Sequence, residues 1–204
     1  MSGSGKDFPD WETLYKSQKV ETMPWYNKNF DSDLEKELDE RRIINGSKRF
    51  LDLGTGPATQ ALWLAKRGFR VIGSDISEAA INRARRIYAN EKNINFRVDD
   101  ILNSKFKDNE FDYIFDRGCF HVLSPADRQN YIRKIKAILK VHGILFLKCF
   151  NNKELRQEGP YKFSQDEIRD LFNESFRIDS IKETVYQGTL DPLPKALFVV
   201  MINQ

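Results

Sequence analysis

The stretch RFLDLGTGPATQALWLAKRG, Arg49 to Gly68, decides the fold. Phe50, Leu51 and Leu53 make an apolar strand, and Gly54 and Gly56 allow a tight turn. Ala61, Leu62, Leu64 and Ala65 then follow a helical period. A strand, a glycine turn and a helix in that order hold nucleotide-like ligands in open α/β sheets.

The same alternation continues downstream. RVIGSD (70–75), INFRVDD (94–100), FDYIFDRG (111–118) and GILFLKCF (143–150) read as strands. Between them, Ser77 starts a helix reaching about Asn90, and Ser124-Pro125 opens another, with Ser124 as cap and Asp127 three residues on. SQDEIRDLF (164–172) carries a capping box, Ser164 to Glu167. FRIDSIKETVY and ALFVVMINQ are separated only by the turn QGTLDPLP, so they pair antiparallel. The fold class is α/β: a doubly wound, seven-stranded, mostly parallel sheet, Rossmann-like, with an antiparallel last strand and an antiparallel edge. Ahead of it, residues 1–48 are expected to form a leader, MSGSG, and a helical lid, from DWETLYKSQ, ETMPWYNKNF and SDLEKELDERRII. Residues 49–204 form the binding domain.

Composition narrows the function. The 204 residues carry a net charge of +3, and the densest basic run, INRARRIY, reads as an exposed helix face, which disfavours a nucleic-acid partner. No apolar run approaches the roughly 18 residues of a membrane span, and no export signal precedes Arg49. Cys119 and Cys149 are read as free thiols in a reducing cytoplasm, and His121 and His142 have no partner at metal-ligand spacing.

The second strand ends at Asp75, about 20 residues beyond the turn, where an acid accepts hydrogen bonds from ribose hydroxyls. Thr59 stands where a dinucleotide fingerprint has its third glycine, and no GK[ST] follows the turn. S-adenosylmethionine has no pyrophosphate, so it needs the turn and the acid alone.

FLDLGTGPAT, VIGSDIS, FRVDDIL and FDYIFDRGCFHVL resemble the successive motifs of class I S-adenosylmethionine-dependent methyltransferases, over residues 49–204. WETLYKSQKVETMPWY and EGPYKFSQDEI further resemble the thiopurine, thiol and halide branch. The resemblance implies that Asp52, Gly54 and Gly56 meet the methionine half of the cofactor, Asp75 its ribose and Ile76 its adenine. It implies Asp100 and Ile101 beside the adenine, Asp116 and Arg117 at the methionine part and reaction pocket, and Trp25 over the cofactor with Trp11 and Tyr15 in support. Ala58 replaces a third glycine of that pattern, and LKVHGIL replaces the usual Lys-Pro-Gly-Gly turn.

The expected reaction is methylation of a small soft nucleophile (thiol, halide or chalcogen compound), with Arg117 and His121 as electropositive neighbours and Asp116 beside them. Cys119 is expected to be a small buried residue, and Phe150, Tyr161 and Phe163 to help wall the pocket. The alternative is a protein lysine methyltransferase, since FDRGCF resembles a turn of that branch; a third reading is a non-catalytic cofactor-binding module. The missing [ND]PP[YF] motif disfavours adenine-N6 and glutamine acceptors. A cytoplasmic monomer is expected.

Overall fold

The computed structural model describes residue 6, residues 8–44 and residues 47–204; the expected MSGSG leader lies outside them. The central strands are β1 (Arg49–Leu53), β2 (Arg70–Asp75), β3 (Ile94–Val98), β4 (Phe111–Asp116) and β5 (Leu139–Asn151). A short β6 (Lys162–Phe163) pairs with the end of β5, and β7 (Phe176–Val185) and β8 (Lys195–Asn203) form the terminal hairpin. The strand order is β3-β2-β1-β4-β5-β8-β7, parallel up to β5. β8, the antiparallel last strand, is not at the edge: it inserts between β5 and β7. The edge therefore falls to β7, and β6 escapes the sequence reading because two residues carry no period.

Successive strand residues alternate between two cores, as the pleat requires. Leu51, Ile114, Leu145 and Val199 meet the face covered by α5 (Arg128–Ile138) and α6 (Gln165–Phe172). Phe50, Phe115, Phe146 and Val200 meet the face covered by α2 (Ser32–Glu40), α3 (Thr59–Lys66) and α4 (Glu78–Ile87). α5 starts later than Ser124 because the Ser124 hydroxyl donates to Asp127 Oδ2 at 2.7 Å, closing a separate turn. α2 stops at Glu40, short of the expected Ile44, where Arg42 adopts a left-handed φ of 52°. Among the described residues, no helix is long and apolar enough to cross a membrane.

The segment before β1 is fixed at both ends. α1 (Trp11–Ser17) sets Glu12 against the start of α4, where the Ala79 N–H and the Ser77 hydroxyl donate to it at 3.0 and 2.8 Å. Those bonds, with Lys16, hold the Glu12 carboxyl down to about 2. α2 sends Leu34 and Leu38 into the sheet core. At its start Asp31, fully buried, accepts from Lys148 at 2.8 Å and from Arg117 at 3.1 Å. Lys148, fully buried on β5, also reaches Asp33 at 2.6 Å and Gln187. Burial alone raises the Asp31 carboxyl, but the two cations outweigh it and hold it below its ordinary value.

Removing one member of a buried ion pair leaves an uncompensated charge and costs about 3–5 kcal/mol. Lys148→Ala is expected to lose that much stability in urea unfolding. Lys182→Ala, which removes a half-exposed partner of Glu37, is expected to lose about 1 kcal/mol or less.

Candidate active site

The strand order reverses between β1 and β4, and the crevice beyond the carboxyl ends of the strands is where such sheets bind ligands. A cavity of about 550 Å³ lies there. β1 delivers Gly54 to its wall, β2 delivers Asp75 and Ile76, β3 leads to Asp99, Asp100 and Ile101, and β4 leads to Arg117, Cys119 and His121. Trp11, Tyr15, Pro24 and Trp25 close it from the N-terminal side.

The glycine turn is held open by what stands behind it. Gly54 has φ +65°, and a Cβ there would lie 2.3 Å from the Cys119 sulfur. Asp52 accepts from the Thr55 hydroxyl at 2.5 Å and the Ala61 N–H at 3.1 Å, pinning β1 to α3. Burial pushes its carboxyl up to about 7, against those two bonds. The Gly56 N–H donates to Asp75 Oδ2 at 2.9 Å, and the Tyr15 hydroxyl covers its Cα. Asp52 and Gly56, expected beside the methionine half, build the turn from behind the wall and are not among the residues that line the cavity.

On the next strands, Asp75 accepts from the Ser77 N–H as well as from Gly56, and burial still pushes it up to about 6. Ile76 is 54% exposed, an apolar surface turned to the cavity. Asp100 accepts from the Leu102 N–H at 3.0 Å and the Asn103 amide at 2.7 Å. Asp99 accepts from the Lys105 N–H through one oxygen, while its other oxygen is buried without a partner among the described residues.

The expected catalytic trio separates. Asp116 is fully buried behind the wall, where Gly118, Cys119 and Phe120 N–H groups and the Tyr131 hydroxyl, at 2.5–3.0 Å, occupy its carboxylate. It caps the turn after β4 and is not among the residues that line the cavity. Arg117 lines the cavity, but its guanidinium serves the N-terminal segment: it donates to Asp31, to the Trp25 carbonyl at 3.0 Å and to the Gln187 carbonyl. It also lies 4.4 Å over the Tyr186 ring. His121 lines the cavity, and burial, aided by Arg117 and Lys6, pushes it down to about 3. At neutral pH it is uncharged, so it is no electropositive neighbour, and the Arg117 charge is compensated by Asp31.

Other walls differ in part from expectation. Phe150 lines the cavity, whereas Phe163 is buried in the core and the Tyr161 hydroxyl accepts from the Lys6 N–H. Trp25 lines the cavity, donates from Nε1 to Tyr15 at 3.3 Å and meets Trp11 edge-on. Burial, then Asp116, Asp75, Asp52 and Asp100, raise the Cys119 thiol well above its ordinary value, so it is no nucleophile. Sequence reading missed Tyr186, Asp31 and Asp99. The aromatic at the end of β7 is a usable signal for Tyr186; Asp31 reads only as a helix cap, and its second role needs β5 beside it.

This donor and acceptor set fits S-adenosylmethionine. Carboxylates at the ends of β2 and β3 suit hydroxyl and amino donors, with an orphaned Asp99 oxygen beside them. Ile76 and Ile101 suit a flat ring, and the Tyr15 and Trp25 rings suit a sulfonium.

Comparison with known proteins agrees. Residues 50–143 match the family described as Methyltransferase domain. An uncharacterized methyltransferase of Schizosaccharomyces pombe is 35% identical over 119 residues, 56% of this chain and 82% of its own length. The chain thus belongs to the S-adenosylmethionine-dependent methyltransferases of class I, and it is an enzyme using that cofactor. It is 28% identical over 151 residues to a zebrafish (Danio rerio) EEF1A lysine methyltransferase 2, covering 70% of this chain and 65% of the relative. A probable thiopurine S-methyltransferase of the same organism is 24% identical over 201 residues, covering 86% and 84%. The fold is that of a solved structure described for converting a disulfide bond into a thioacetal group during echinomycin biosynthesis, with TM-score 0.79, 23% identity and coverage of 95% and 91%.

Gly54→Ala forces a side chain into a left-handed backbone and against Cys119. It is expected to cost about 1–3 kcal/mol, read by thermal unfolding. Adding Cys119→Ala is expected to relieve the clash but not the backbone strain, so recovery is partial.

Proposed function

We propose that the protein methylates a small soft nucleophile, a thiol foremost, enclosed beneath an N-terminal lid. The carrying observation is that Arg117 binds the Trp25 carbonyl, the Gln187 carbonyl and Asp31 together, drawing the N-terminal segment and the hairpin loop over one cavity. In this reading residues 8–26 are the lid, and α2 is its anchor in the core. Asp75 holds the ribose, Ile76, Asp100 and Ile101 the adenine, and Gly54 the turn beside the methionine half. Trp25 covers the cofactor. The bound cofactor supplies a methyl group already activated on a sulfonium, so the protein's task is to place the acceptor and exclude water. Such placement is worth roughly 7–11 kcal/mol of the barrier.

The thiopurine-like relative supports this reading because its similarity spans most of both chains. The second reading, a protein lysine methyltransferase, is favoured by the similarity to the EEF1A lysine methyltransferase, which spans less of either chain. A closed lid stands against a peptide groove. The monomeric state, the cytoplasmic location and the absence of a nucleic-acid partner belong to the same proposal.

The deciding assay is S-adenosylhomocysteine release against small thiols, halides, chalcogen oxyanions and a cell-protein extract. Turnover with a small nucleophile is expected; turnover with the extract alone would overturn the reading in favour of a macromolecular acceptor.

Cofactor affinity should also depend on pH. Ribose hydroxyls donate best to an ionised Asp75, whose carboxyl titrates at about 6 in the free protein. Below that value a proton must be lost on binding, so affinity weakens as pH falls. Titration calorimetry is expected to show roughly tenfold weaker binding at pH 5 than at pH 8, and little such dependence in Asp75→Asn.

A further inference from the structure

A second depression, of about 450 Å³, lies apart from the candidate active site and shares no lining residue with it. Arg49 opens β1 at the end opposite Gly54, and Lys140 sits at the start of β5. Arg97 comes from β3, and Lys105 and Lys107 from the loop that leads into β4. With Asp108 and Glu110 also in the wall, five cations stand against two carboxylates. That excess of three positive charges equals the net charge of the whole chain.

The cations are held in place by buried acids that do not cancel them. Glu110, whose side chain is 7% exposed, accepts from Arg49 at 2.6 Å and from the Lys107 N–H at 2.9 Å, with Arg97 at 3.9 Å. Asp112, on β4, takes Lys48 at 3.3 Å and Lys140 at 3.0 Å on one oxygen and the Arg49 N–H at 2.8 Å on the other. Burial pushes its carboxyl up, but those partners outweigh burial and hold it below its ordinary value, so it stays ionised. Each acid thus holds two cations with one negative charge. Arg97 also lies 5.4 Å over the Phe106 ring, and Arg49 5.8 Å over the Phe111 ring.

Most of the donors around the depression are unspent. A guanidinium carries about five N–H donors. Among the described residues the Arg49 side chain makes one hydrogen bond, to Glu110, and the Arg97 side chain none. The Lys105 and Lys107 ammonium groups make no ion pair among the described residues. We propose that this depression is an anion site that binds a compact polyphosphate, a short chain of phosphoryl groups, free or carried by a nucleoside.

The chemistry of the wall selects that ligand. Guanidinium and ammonium groups pair with phosphate oxygens through charge-assisted hydrogen bonds, the guanidinium in a planar fork. A lone carboxylate cancels one of the excess charges, whereas successive phosphoryl groups bring one negative charge or more apiece. The volume falls within the roughly 300–1,000 Å³ of small-ligand sites and exceeds what a single phosphate ion fills. A nucleic-acid reader spreads its basic groups along a stripe or a helix; here they gather at one concave place. The site is independent of which acceptor the methyltransferase uses.

The test uses the intact protein saturated with S-adenosylhomocysteine, which keeps a nucleotide out of the candidate active site. Tripolyphosphate is titrated by calorimetry at an ionic strength of about 0.15 M, where exposed charges more than roughly 8 Å apart are largely screened. One tripolyphosphate bound per chain is expected. Lys105→Gln combined with Lys107→Gln is expected to weaken binding roughly tenfold or more, and Arg97→Gln alone to weaken it in the same direction. Arg86→Gln combined with Arg169→Gln removes the same charge from exposed places elsewhere, and is expected to change binding less than about twofold. Affinity for S-adenosylhomocysteine is expected to be the same in every variant, which shows the fold intact. Adenosine triphosphate is the second arm: equal affinity assigns the phosphate chain alone, tighter binding assigns a nucleotide, and either result upholds the site. Binding that vanishes at this ionic strength, or that the control pair weakens as much as the loop lysines do, would mean an adventitious ion only and overturn the proposal. Adenosine bound as tightly as its triphosphate would overturn it too. A structured RNA that displaces tripolyphosphate at lower concentration than adenosine triphosphate does would replace it with a nucleic-acid surface.

Discussion

The Asp31 carboxylate, removed from water and held between Lys148 and Arg117, is the interaction on which the rest of the structure depends. The two cations come from different segments of the sheet region, and the acid from neither. Lys148 comes from β5, Arg117 follows β4, and Asp31 opens α2. The three charges therefore fix where the N-terminal segment meets the sheet. Because Arg117 also binds the Trp25 and Gln187 carbonyls, the same arrangement sets the roof of the cavity. Desolvating these ions is costly, and the cost is met by nearly complete pairing: Asp33 and Gln187 take the remaining Lys148 donors.

That roof has an electrostatic consequence. The cavity is lined by the carboxylates at the ends of β2 and β3, Asp75, Asp99 and Asp100, and burial raises that of Asp75. Backbone N–H groups hold each of them in place, and one Asp99 oxygen is left without a partner among the described residues. These carboxylates are acceptors of the kind a cationic, hydroxyl-bearing ligand requires. The same cavity is lined by aromatic rings and a neutral imidazole. An enzyme whose cofactor brings its own activation needs little acid–base machinery, and this lining agrees with that.

Much of the sheet is legible from apolar periodicity. Buried parallel strands need continuous apolar runs, and the pattern from Arg49 to Phe150 shows them in alternation with amphipathic helices. Less legible are the points where local rules compete. The Ser124–Asp127 turn looks like a helix start, since Ser, Pro and Asp favour both. β6 is two residues long and exists because the end of β5 offers it partners. The place of β8 between β5 and β7 leaves no mark on its composition, since the strand is apolar either way.

In the site, local sequence determines what the backbone alone enforces: the left-handed Gly54, and acids at strand ends where the chain leaves the sheet. Those residues carry the resemblance to S-adenosylmethionine-dependent methyltransferases before any contact is known. Tertiary structure decides which of them line the cavity. Asp52, Gly56 and Asp116 are consumed in holding turns, while Tyr186 and Phe150 arrive at the cavity from distant segments. It also decides the charge of His121 and the partner of Arg117. A side chain's protonation and reach depend on burial and on neighbours from other elements, and spacing along the chain carries no record of either.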